Sequence, residues 1–168
     1  MSTKWNEDQE YLSIIESLLE TKEVQALANY TQHHYTTRLS HSISVSYRSY
    51  RIAKKLGCNE VATARAGLLH DLFYYDWRTT KFDEGTHAFM HPKIAVKNAQ
   101  KITSLSALEI DIIVKHMWLA TVAFPKYKES YIVTIVDKYC AVAEVLSPTV
   151  SKSQVWLKKI WLKLKVAS

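Results

Sequence analysis

Four histidines and two aspartates stand out by type and setting. His41, His70, His91 and His116 fall at separate points on or beside apolar helical stretches. Asp71 and Asp137 share that setting, inside GLLHDLFYYDW and IVTIVDKYCAVA. An aspartate in such a run costs on the order of several kcal/mol unless something compensates its charge. Imidazole nitrogens and carboxylate oxygens drawn from several helices form a ligand set for a divalent cation, and Fe, Mn, Zn, Co and Ni all suit it. Neighbouring helical residues point roughly 100° apart. His70 and Asp71 therefore reach one cation only near the axis of a bundle, where both side chains converge. Singly, each of these residues has an ordinary structural explanation; the set is what points to a metal. His33, His34 and His87 lie in expected loops and read as solvated. Pro92 places a helix start after His91, which separates His87 from the ligand set.

The elements that must position these groups read as six or seven helices and no convincing strand. EDQEYLSIIESLLE carries Tyr11, Ile14, Ile15, Leu18 and Leu19 on one stripe, and KEVQALANY continues as a short second helix. A polar connection, TQHHYTT, leads to RLSHSISVSYRSYRIAKKLG, which ends at Gly57 as a C-cap. Asn59 caps EVATARAGLLHDLF, with Glu60 in its first turn. YYDWRTTKFDEGTHAFM is an irregular connection, and PKIAVKNAQKI starts a helix at its proline. SALEIDIIVKHMW follows, capped by Ser104 or Ser106. YIVTIV has the β-branched content of a strand, but the apolar run continues through Val145, which favours a buried helix in SYIVTIVDKYCAVAEVL.

Composition agrees with an all-α fold. Hydrophobic residues make up 48% and charged residues 23%, and 3 Gly with 3 Pro leave little material for the tight turns of an all-β fold. The chain reads as one domain over 1–168, without repeat, low-complexity tract or linker. The acidic N-terminal stretch lacks a secretory apolar core, and no apolar run approaches the roughly 20 residues of a membrane span. A cytoplasmic protein is expected. Cys58 and Cys140 fit no metal spacing and read as thiols. The net charge of +6 concentrates at the end, where Val155, Leu157, Ile160, Trp161 and Leu164 recur among lysines as a helix with one buried and one basic face. A basic surface attracts phosphorylated ligands. Nucleic acid is a weaker reading of the same charge, and an apolar terminal helix face is compatible with a homo-oligomer.

The order of the ligand candidates resembles the HD superfamily of metal-dependent phosphohydrolases. The family pattern, a His on one helix, a His-Asp doublet on the next and an Asp on a later one, matches RLSHS (His41), LLHDL (His70, Asp71) and YIVTIVDKYCA (Asp137). The resemblance spans about residues 36–146, with flanking helices on either side. It implies a helical bundle of the HD type and hydrolysis of phosphate esters or anhydrides, commonly in nucleotides. Some branches carry two further histidines that bind a second metal, and His91 and His116 stand at matching places, as in cyclic-dinucleotide phosphodiesterases. The chain departs from those enzymes in reading HDLFYY where they read HDIGK, so Tyr74 replaces a lysine, and it lacks their GYP element.

On that resemblance, one metal is expected on His41, His70, Asp71 and Asp137, and a second on Asp71, His91 and His116, with Asp71 as the bridge. Asp71 and Asp137 take the catalytic role, Asp137 also orienting the nucleophile. Arg38, near a helix start, and Lys138 are the expected phosphate or leaving-group contacts. The substrate expected is a small phosphorylated molecule, a nucleotide or cyclic dinucleotide. The rival reading is a sensor module that holds metal and nucleotide without turnover.

Overall fold

A computed structural model describes residues 4–33 and 36–146. Seven α-helices occur among them: α1 (Gln9–Leu19), α2 (Lys22–Gln25), α3 (Arg38–Lys55), α4 (Glu60–Leu69), α5 (His87–Ala99), α6 (Ala107–Lys115) and α7 (Lys128–Leu146). The all-α expectation holds, and the β-branched run YIVTIV is helical within α7. No helix among the described residues is long and apolar enough to cross a membrane. The basic segment 155–164 lies outside the described residues.

The caps explain why the helices start where they do. Thr37 accepts from the Ser40 amide at the head of α3, and Asn59 from the Ala62 amide at the head of α4. Ser106, not Ser104, caps α6 through a full capping box with Glu109. Gly57, just beyond the end of α3, adopts a φ of 65°, the left-handed turn that ends a helix.

Helix α3 packs against α4 and α7, and α6 against α4, α5 and α7. Leu68, Leu69, Leu72, Ile112, Ile113 and Val133 fill the core between them. The α3–α4 approach is unusually close: a Cβ on Gly67 would lie 2.9 Å from Ser46 Cα. Ser46, small enough to sit there, donates to Ala64 O at 2.6 Å and accepts from Tyr11 OH at 2.8 Å.

Three elements differ from the expectation. The polar stretch TQHHYTT reads as a connection without a strand, yet it holds an antiparallel pair of β1 (Thr31–His33) and β2 (Thr36–Thr37) with an irregular register. It is too short to show a period of two. Helix α4 stops at Leu69, not Phe73, because His70 Nδ1 sits 2.8 Å from Gly67 O, the carbonyl that would continue the helix. Helix α5 starts at His87, not Pro92, with Phe89 and Met90 amides both donating to Thr86 O. The proline removes one helix hydrogen bond there. Cys58 and Cys140 are both free thiols.

Candidate metal centre

The helix ends aim the histidines inward. His70 follows α4 and His116 follows α6, each as the capping residue, and each ring turns back onto its own last turn. His70 Nδ1 donates to Gly67 O at 2.8 Å and His116 Nδ1 to Ile113 O at 2.7 Å. His91, inside α5, donates from Nδ1 to His87 O at 2.8 Å. A carbonyl can only accept, so all three rings carry a proton on Nδ1 and turn Nε2 to the interior. His41, in the first turn of α3, is held differently, with Nδ1 at 3.0 Å from Glu144 Oε1 and Nε2 at 2.9 Å from Asp137 Oδ1.

All six expected ligands are buried and converge. Asp71 lies between the two sets: Oδ2 is 3.6 Å from His70 Nε2, while Oδ1 is 3.3 Å from His91 Nε2 and 3.6 Å from His116 Nε2. Asp137 Oδ1 is 3.6 Å from His70 Nε2. Three overlapping groups have donor atoms within 4.8 Å of one another: His41, His70 and Asp71; His70, His116 and Asp137; Asp71, His91 and His116.

Two features of this cluster suit a cation. His91 Nε2 and His116 Nε2 face each other at 2.8 Å, a separation at which at most one of the two carries a proton. Two nitrogens bound at right angles to one cation would sit about 3 Å apart, the separation expected from metal–nitrogen bonds of about 2.0–2.1 Å. His70 Nε2, in turn, is buried without a hydrogen-bond partner among the described residues. The donor set is the hard-to-borderline mixture that suits Fe, Mn, Zn, Co or Ni.

Electrostatics reflect the same crowding. Burial opposes the charge on Asp71 and Asp137, but the surrounding histidines outweigh it and hold both carboxyls well below the usual range. Burial also opposes a charged His41, yet hydrogen bonds to Asp137 and Glu144 lift it to about 10. His116 moves the other way: burial, with His91 and His70 beside it, holds it well below its ordinary value.

The expected phosphate contacts are placed unequally. Arg38 is completely buried, stacked 3.6 Å above the Phe73 ring, with its guanidinium donating to Gln32 Oε1, Phe73 O and Tyr75 O. Gln32 Nε2 in turn donates to Asp71 Oδ2 at 2.6 Å. Arg38 thus stands behind Asp71, bracing it, instead of facing a ligand. Lys138 is beside the centre: Nζ lies 2.7 Å from Asp137 Oδ2 and 3.1 Å from His116 O, with 34% of the side chain exposed.

Sequence reasoning missed three contributors. Gln32 and Thr36 come from the hairpin, and Glu144 is seven residues after Asp137, on the same face of α7. That spacing, about two helical turns, was the available signal for Glu144. His87 is also not the solvated loop residue expected. It is half-buried as the first residue of α5, stacked on His91 at 4.2 Å, and its Nδ1 shares a hydrogen bond of 3.1 Å with Tyr75 OH.

A family model described as the HD domain matches residues 38–142, more than half of the chain. A Bacillus subtilis (strain 168) protein named "Putative phosphohydrolase YueE" is 39% identical over 41 residues, 24% of this chain and 23% of that protein. The alignment therefore spans about a quarter of that relative's length. The family match runs from Arg38 past Asp137 and takes in every one of the six converged side chains, so the chain belongs to the HD domain family.

Proposed function

We propose that this chain is a phosphohydrolase that uses two divalent transition-metal ions to cleave a phosphate ester or anhydride, with a nucleotide or cyclic dinucleotide as substrate. The observation that carries this reading is the convergence of His91 Nε2 and His116 Nε2, 2.8 Å apart, beside a buried His70 Nε2 that has no hydrogen-bond partner among the described residues.

His41, His70, Asp71 and Asp137 would hold one ion, and Asp71, His91 and His116 the other. Asp71 suits the shared position because its two oxygens already face the two histidine sets. Bound there, the ions would supply positive charge for the phosphate oxygens and lower the pKa of a water molecule toward neutrality. The remaining chemistry belongs to the chain. Asp137, whose Oδ2 accepts from Lys138 Nζ at 2.7 Å, would orient the attacking water. Lys138 Nζ would reach from that carboxylate to a phosphate oxygen or the leaving group, since it is the one lysine or arginine bonded to a ligand carboxylate among the described residues. Arg38 and Gln32 keep Asp71 oriented throughout.

A nucleotide is supported by the rings beside the centre. Tyr75, Trp77 and His87 meet edge-on or stacked next to His91. Tyr74 packs against the core and donates to Glu23 O at 3.2 Å. The test is elemental analysis of protein purified without chelator or nickel affinity, followed by product assays on cyclic dinucleotides and nucleoside phosphates with Fe or Mn. About two metals per chain and product release support the reading. Nucleotide binding without product would move the chain to the sensor reading, and failure to load any of Fe, Mn, Co or Zn would overturn the proposal.

A further inference from the structure

Resting on the dinuclear reading, a second inference comes from the way the four ligand histidines are held. His70, His91 and His116 each donate from Nδ1 to a backbone carbonyl. His41 alone turns Nδ1 to a carboxylate, Glu144 Oε1, at 3.0 Å. Glu144 is itself buried, and its other oxygen accepts from Thr36 Oγ1 at 2.9 Å, so both oxygens are engaged and the carboxylate is fixed.

A carbonyl acceptor sets a ring's tautomer and orientation. A carboxylate does this and also pushes electron density toward the opposite nitrogen, which makes the imidazole a stronger metal ligand. Charge adds to the difference. The His41 side has Asp137, Glu144 and one oxygen of Asp71, whereas among the described residues the other Asp71 oxygen is the carboxylate oxygen within 4 Å of the His91 and His116 ring nitrogens. Lys138 offsets part of this through Asp137, but its partly exposed ammonium stays hydrated and weakly felt.

We propose that Glu144 is a positioning residue that makes the cation position on the His41 side the tighter of the two, leaving the His91–His116 position as the exchangeable one. The carboxylate touches neither cation nor substrate; it acts through His41.

The experiment is a cobalt(II) titration of metal-free protein, followed by visible absorption and calorimetry, so that binding is read independently of activity. Wild-type chain should bind in two unequal steps, and His116→Ala should lose the weaker one only. In Glu144→Gln the tighter step should weaken by about 10–100-fold, the usual effect of removing such a partner, with the weaker step unchanged. If that variant does not fold, Thr36→Val leaves the carboxylate in place but loosens it, and should weaken the same step to a smaller degree. Equal steps in the wild-type chain, or an unaltered tight step in the variants, overturn the role of Glu144 and leave the dinuclear reading standing. No cobalt uptake by the wild-type chain overturns both.

Discussion

The two halves of the candidate metal centre are built by different rules. The half on α3 and α7 is rich in carboxylates: His41 sits between Asp137 and Glu144, held at both ring nitrogens by side chains more than ninety residues away. The half on α5 and α6 is rich in imidazole, and His91 and His116 are each oriented by the backbone of their own helix. The first half exists only once the tertiary fold has formed. The second is largely pre-set by local geometry and needs only the two helices to approach. Asp71, just past the end of α4, joins them.

The sharpest way to break this comparison is to remove what the halves share. Asp71→Ala should abolish loading of both ions, with activity falling to background, as read by elemental analysis and product assay. Removing one half is the next largest effect. His91→Ala or His116→Ala should lower the metal content to about one per chain and reduce activity strongly while the remaining ion stays bound. Retention of two ions in either variant would contradict the assignment of those rings.

A third test loosens the join without deleting it. Gln32→Leu removes the donor to Asp71 Oδ2 and the acceptor for Arg38 Nε, and metal affinity should fall by about 10–100-fold in a chelator competition. Both halves should weaken together, since the bridging carboxylate serves both.

Acidity separates the halves in the metal-free chain. His41 is raised from 6.5 to about 10, so between these values the folded chain holds a proton that the unfolded chain has released. Its contribution is complete below about pH 6.5 and is lost as pH rises toward 10, at up to about 1.4 kcal/mol per pH unit. His116 is held low, so its contribution is present above 6.5 and lost as pH falls. Melting curves of chelated protein should show His41→Gln flattening the alkaline limb and His116→Gln the acid limb. The smallest effect expected is structural: Gly67→Ala forces a Cβ to 2.9 Å from the Ser46 backbone and should destabilise by about 1–3 kcal/mol, read as a lower melting temperature.

The candidate ligands were legible as a set, and three of them also stand out locally. Asp137 in IVTIVDKYCAVA and the doublet in GLLHDLF break an apolar pattern, and a broken pattern shows without a structure. The groups that hold them were not legible. Gln32 and Thr36 sit in a polar stretch where polar residues are unremarkable, and nothing local distinguishes them from solvated neighbours. Glu144 follows Asp137 at helical spacing, but the same interval fits any solvated glutamate on a helix. Arg38 was legible as important and not as to which side of the site it serves; stacking on Phe73 and bonding to two loop carbonyls are set by the chain after the doublet. His87 was lost to a proline rule. Helix α5 begins five residues before Pro92, held at its start by Thr86 O and by the stacked rings of His87 and His91.

The short hairpin bears on anyone who would transplant this centre. Its first strand supplies Gln32 to Asp71 and its second supplies Thr36 to Glu144, one contact for the shared carboxylate and one for the carboxylate-rich half. A simplified scaffold of helices alone could carry all six ligands in register and still lack both fastenings. Residues 31–37 belong in the graft as much as the histidines do.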